Sequence, residues 1–243
     1  MSAPATTQQS AIRRRQMRKT LKSLTLAVAL AAAFTGTAKA DEGFSIGADV
    51  VSSYVWRGVE FDGGLNIQPS LSYTFPGIGV EVGAWGSYAV SEHTTDGVSS
   101  RYKEIDLYAT VPVGPVAFTL TNYNCTPDAA NNFDFGEDGP NVVELSASGE
   151  IDDLSLLAAV NLSGIDTNNA VYCEVGYGFY DKDGYTASAF VGGGTEAYYR
   201  PAASNKDFAV VNTGISVSKD RYTAAYIYNP DSEKSFLTFM ASF

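Results

Sequence analysis

The sequence predicts an all-β fold, a transmembrane antiparallel up-and-down β-barrel of about twelve strands. Three observations carry this reading. Runs of roughly ten residues alternate between apolar and polar side chains along the chain. The breaks between them alternate between short and long. No stretch after residue 40 has the length of a membrane-spanning helix, and the last run closes on the aromatic Phe243.

The first element is an export signal. Arg18, Lys19 and Lys22 supply a positive start, Leu24 to Phe34 an apolar core too short to span a bilayer, and Ala38-Lys39-Ala40 a small-x-small cleavage site. Met17 is a workable start, because residues 1–16 add only polar and basic sequence ahead of a complete signal. The organisation expected is therefore a signal peptide at 1–40 and a barrel at 41–243. Residues 1–40 carry seven basic and no acidic groups, so their removal leaves nine basic against 27 acidic side chains, a net charge of −18. Such a surface repels nucleic acid, and no nucleotide-binding or nucleic-acid motif is present.

The candidate strands are 44–56, 66–75, 79–90, 102–111, 115–124, 141–149, 154–163, 170–180, 184–194, 206–217, 221–229 and 235–243. Their even number suits a single-chain bacterial barrel. The short breaks FPGIG, VPVGP, GEIDD, YDKDG and SKDR are built from turn-forming Pro, Gly and Asp. Longer breaks at 57–65, 91–101, 125–140, 164–169, 195–205 and 230–234 fall between them. Short periplasmic turns and longer external loops produce this alternation and leave both termini in the periplasm. A soluble periplasmic β-fold is the alternative, and it has no reason to alternate.

Alternation also assigns faces. Phe44, Ile46, Ala48 and Val50 oppose Asp49, Val51, Ser53, Val55 and Arg57 in the first run. Ile105, Leu107, Ala109 and Val111 oppose Glu104 and Asp106. Val143 and Leu145 oppose Glu144, and Val80 and Val82 oppose Glu81. A mid-strand carboxylate avoids hydrocarbon, so Asp49, Glu81, Glu104, Asp106, Glu144 and Glu174 are expected to point into the lumen. Arg57 is expected on the same side near the external mouth, paired with carboxylates of neighbouring strands, with Gly58 releasing the chain into a loop that turns at Asp62-Gly63-Gly64. Tyrosines near run ends (Tyr54, Tyr88, Tyr123, Tyr180, Tyr222, Tyr228) suit aromatic girdles at the membrane interfaces.

Two groups of residues carry a resemblance. Leu237, Phe239 and Phe243 share one face of the final run, which resembles the assembly signal of bacterial outer-membrane barrels. Tyr54-x-Trp56-Arg57-Gly58, followed by Gln68-Pro69 and Gly83-x-Trp85-x-Ser87, resembles the N-terminal signature of a bacterial outer-membrane family described as porins of undefined substrate. The motif covers roughly residues 44–90. The resemblance implies an outer-membrane barrel that can act as a channel, and it transfers no substrate.

Other reactive residues are few. His93, the single histidine, lies in SEHTTDG, where Ser99 or Ser100 would have to complete a hydrolase site. A solvated loop histidine is the simpler reading. Cys125 and Cys173 are permitted a disulfide by export and even count, provided the 125–140 loop folds across the mouth. Asp134, Glu137 and Asp138 offer oxygen ligands without fixed spacing, so neither a metal nor a cofactor is expected.

The function expected is passive diffusion of small polar or cationic solutes. The inward carboxylates give preference for cations. The expected partners are outer-membrane lipid and the barrel-assembly machinery. A non-conducting structural or adhesion barrel, plugged by loop 91–101 or 125–140, is the second reading, and an outer-membrane lipid hydrolase the third.

Overall fold

The computed structural model describes residues 43–95, 98–125, 134–136, 139–165, 167–201 and 205–243. The signal-peptide expectation for residues 1–40, including the start at Met17, lies outside them, as do Glu137, Asp138 and much of the 125–140 loop.

Sixteen strands and one helical turn are formed among the described residues. In chain order the strands are β1 Gly43–Val51, β2 Tyr54–Trp56, β3 Val59–Asp62, β4 Asn66–Thr74, β5 Glu81–Ala89, β6 His93–Thr95, β7 Val98–Ser100 and β8 Lys103–Val113. They continue with β9 Val116–Asn124, β10 Asn141–Ile151, β11 Leu154–Ser163, β12 Val171–Lys182 and β13 Tyr185–Gly194. The helical turn α1, Glu196–Tyr199, precedes β14 Ala209–Lys219, β15 Tyr222–Asn229 and β16 Lys234–Ser242. Twelve strands close into one barrel, ordered β1-β4-β5-β8-β9-β10-β11-β12-β13-β14-β15-β16 and back to β1. The remaining strands form two small hairpins, β2–β3 and β6–β7.

Every barrel neighbour is antiparallel, and the register follows from turn chemistry. Asp183 (φ 56°) and Gly184 (φ 79°) form a two-residue β12–β13 turn with both residues left-handed, whose twist matches the flanking strands. Asp152 and Asp220 take the same conformation in the β10–β11 and β14–β15 turns. These connections define a short-turn rim, and the longer loops define the opposite, loop rim. Closure joins Asp49 to Ser242, Val50 to Ala241 and Val51 to Met240. Phe243 and Ala48 exchange reciprocal backbone hydrogen bonds at 3.0 and 3.2 Å.

The outer wall is apolar. Phe44, Ile46, Leu71, Leu107, Leu120, Ile215, Leu237 and Phe239 are all exposed on it. So large a continuous apolar band suits hydrocarbon rather than water. Tyr180 and Tyr222 are exposed near the short-turn rim, Tyr88 and Tyr228 near the loop rim. Tyr54 and Tyr123 depart from the girdle expectation, since both are buried inside the barrel.

The first run differs most from expectation. It does not continue as one strand to Trp56. The wall strand stops at Val51, Ser52 and Ser53 bend away, and β2 begins as part of a separate hairpin. Period-two alternation persists through such a bend, so it does not reveal that the chain has left the wall.

Candidate functional site

The hairpin β2–β3 is built on a two-residue turn. Trp56 pairs with Val59, and between them Arg57 (φ 47°) and Gly58 (φ 79°) both take the left-handed conformation of a type I′ turn. Left-handed backbone costs a non-glycine residue on the order of 1 kcal/mol, so Arg57 needs compensation from its side chain. The base of the hairpin is anchored at both ends. Ser52 exchanges two hydrogen bonds with the backbone of Phe239, both at 2.9 Å. Asp62 Oδ1 accepts from the Gly64 amide at 2.9 Å and from Asn66 Nδ2 at 2.8 Å, which turns the chain back into β4.

The tip crosses the lumen to the far wall. Arg57 Nη1 and Nη2 donate to Glu144 Oε2 and Oε1 at 2.5 and 2.9 Å, a two-pronged ion pair. Glu144 lies on β10, five strands from β1 by the shorter way round, so it is not a neighbour as the sequence suggested. Nη1 also donates to the Tyr199 hydroxyl at 2.7 Å, while Tyr199 and Tyr123 donate to Glu144 at 3.1 and 3.2 Å. The guanidinium carbon sits 4.4 Å from the ring centres of both Trp56 and Tyr172. Gly58 completes the docking. Its carbonyl accepts from Asn229 Nδ2 at 3.0 Å, and a Cβ there would lie 1.9 Å from the Val211 carbonyl oxygen.

A bulge in the wall makes room for this contact. Between Gly192 and Gly193 the β13–β14 register slips by one, so Val211 and Asn212 are both buried, at 0% and 2% exposure. Around the hairpin, aromatic rings fill the lumen. Tyr54 packs on Phe61 and Trp85 at 5.4 and 5.5 Å, and Trp56 packs on Tyr123, Tyr198 and Tyr199 at 5.4 to 5.9 Å. Water is excluded from the ion pair by this shell. Burial would lower the Arg57 pKa, but Glu144 beside it holds the guanidinium above its ordinary value. Burial also pushes the Tyr199 hydroxyl up, and it stays a protonated donor to Glu144.

The remaining carboxylates face inward without forming an open ring. Glu104 accepts from Tyr102 at 2.7 Å and Cys125 at 3.5 Å, and Asp106 accepts from the Asn124 amide at 3.3 Å. Glu174 accepts from Asn212 at 2.7 Å and, in a short contact, from Tyr172. Glu81 accepts from Tyr108 at 2.8 Å and Thr74 at 3.2 Å. Asp49 is half-buried on β1. Arg57 and Glu144 therefore meet, Glu174 supports the tip through Tyr172, and Glu104 and Asp106 form a separate group beside Tyr102.

Three further expectations change. Cys125 and Cys173 are free. Cys173 lies between the buried Tyr172 and Glu174 and so faces outward, whereas Cys125 bonds inside the barrel, and the wall separates the two sulfurs. His93 is not a free loop residue, because its Nε2 lies 2.8 Å from Asp62 Oδ2 and ties β6 to the end of β3. Among the described residues, the first loop together with α1 fills the lumen, while most of the 125–140 loop expected in that role, and part of the 91–101 loop, lie outside them. Tyr199, Tyr172 and Asn212 were not legible as site residues. Gly58 was, had Arg-Gly between two alternating dipeptides been read as a hairpin turn.

The profile of a bacterial protein family of unknown function, Gcw_chp, matches residues 35–241. No curated protein matches the chain. Among solved structures, a mutant of Rh. blastica porin is similar at 11% identity and a TM-score of 0.35, over 82% of this chain and all of that one. The outer membrane protease OmpT from Escherichia coli is similar at 10% identity and a TM-score of 0.26, over 83% of this chain and 90% of that one.

Proposed function

We propose, for a chain that belongs to the Gcw_chp family of bacterial proteins of unknown function, that it is an outer-membrane diffusion channel closed at rest by its own first hairpin. The observation that carries this reading is the ion pair from Arg57, at the hairpin tip, to Glu144 on the opposite wall. A hairpin anchored at its base and held at its tip by one buried pair is a stopper with one main fastening. Releasing Arg57 would free the space that the first hairpin occupies in the loop half of the lumen. It would leave Asp49, Glu81, Glu104, Asp106, Glu144 and Glu174 facing the space without that cation, which favours small polar or cationic solutes.

The same reading sets the short-turn rim and both termini in the periplasm, with the loops outside. Leu237, Phe239 and Phe243 would meet lipid and the barrel-assembly machinery. No catalytic activity is assigned.

The test is planar-bilayer conductance of the refolded protein under a salt gradient, for the parent and for Arg57→Gly. Rare or small steps in the parent, with frequent cation-selective steps in Arg57→Gly, are the expected result. Silence from both folded proteins would reject the channel. It would favour a second reading supported by the near-complete burial of Tyr54, Trp56 and Tyr199: a permanently filled barrel whose loops carry binding.

A further inference from the structure

We propose that the Arg57 pocket is a recognition site for small guanidinium-bearing solutes, with Arg57 as its resident occupant. This names the solute class for the channel reading above and rests on it. The argument begins with which groups belong to which element. Trp56 moves with the hairpin. Glu144, Tyr123 and Tyr172 belong to β10, β9 and β12 of the wall, and Tyr199 to α1. Withdrawal of the hairpin would thus leave a carboxylate set for two-pronged binding, an aromatic face and two phenolic hydroxyls.

Each of those groups matches a guanidinium in particular. The two Nη–Oε contacts at 2.5 and 2.9 Å need two parallel N–H donors, which an ammonium or an alkali-metal ion does not supply. The Tyr172 ring lies 4.4 Å from the guanidinium carbon, where a planar cation stacks. The hydroxyl of Tyr199 accepts from Nη1 while donating to Glu144, so it bridges ligand and carboxylate.

The resident occupant does not use the whole pocket. Arg57 Nε and Asn212 Oδ1 are buried, and neither has a hydrogen-bond partner among the described residues. Arg57 itself stands in a left-handed turn conformation. A free guanidinium carries no backbone constraint and could orient its N–H groups to the wall alone. It would compete with Arg57 for Glu144, and occupancy would hold the hairpin away.

The test uses Arg57→Gly in the full chain, refolded in detergent micelles. Gly-Gly is a favourable type I′ turn, so the side chain is removed while the turn is kept. Tryptophan fluorescence, from Trp56 and Trp85, is followed during titration with guanidinium chloride. Urea serves as the neutral isostere, and sodium and tetramethylammonium chlorides control for ionic strength and for a cation without N–H donors. Expected is a saturable change at millimolar guanidinium alone, weakened at least tenfold in Arg57→Gly/Glu144→Gln. Equal responses to guanidinium and urea, or a response unaffected by Glu144→Gln, would overturn the inference. Should Arg57→Gly not refold, Arg57→Ala takes its place with the same criteria. Because the readout is fluorescence, binding by a silent barrel would sustain the site and end the channel. Conduction without selective binding would do the reverse.

Discussion

Arg57 and Glu144, 87 residues apart in the chain, meet across the lumen through two hydrogen bonds, and nearly all of both side chains is removed from solvent. Neither charge is tolerable alone at that depth. The docked hairpin therefore depends on both.

Removing one partner of such a pair typically costs about 3–5 kcal/mol, because the other charge stays buried without compensation. Glu144→Gln and Arg57→Gly should each release the hairpin, and the double variant should cost well below the sum of the two. Hydrogen exchange of the amides in 54–62, read against those of the wall strands, measures it. Strictly additive single effects would mean that the two residues act independently.

Gly58 tests the geometry without touching a charge. Alanine there must adopt φ 79° and place its Cβ 1.9 Å from the Val211 carbonyl. Gly58→Ala should undock the hairpin, seen as a red shift of tryptophan emission with unchanged β-sheet circular dichroism. Gly63→Ala is the control, since its Cβ would meet only the Glu60 side chain at 3.4 Å, an ordinary contact. A Gly58→Ala spectrum identical to the parent would remove the tip from the docking interface.

The outer wall carries a depth-dependent prediction. Leu107 is exposed at the middle of β8, and Leu154 is exposed at the short-turn rim. In lipid vesicles Leu107→Arg should lower folding stability by about 2–4 kcal/mol, against about 0–1 kcal/mol for Leu154→Arg. Equal losses at the two positions in reversible unfolding experiments would show that this face does not meet a hydrocarbon layer.

Much of the wall was legible in advance. The runs from 66–75 onward fall on β4, β5 and β8 to β16 within a few residues, and the Asp-rich breaks are the short turns. Ile105, Leu107, Glu104 and Asp106 lie on the faces that alternation assigns them. The site was legible only in part. Arg57 could be placed inside, but its partner could not, because alternation carries no information about which strand stands opposite. Tyr54 and Tyr123 were read as interface residues from their positions near run ends, and an aromatic ring at a strand end serves a girdle or a plug equally well.

The sequence by itself determined the barrel wall: how many strands close it, where they turn, and which side chains face outward. Those features are local, set by a two-residue period and by backbone preferences of Asp, Gly and Pro over a few positions. Tertiary structure alone decided what occupies the lumen. The fate of the first loop rests on contacts between Arg57 and β10, Gly58 and β14, and Trp56 and α1, residues far apart in the chain that become neighbours only when the sheet closes. Closure turns an arginine in a tight turn into a fastening, because it brings a carboxylate and two aromatic rings, those of Tyr172 and Tyr199, within reach of one guanidinium.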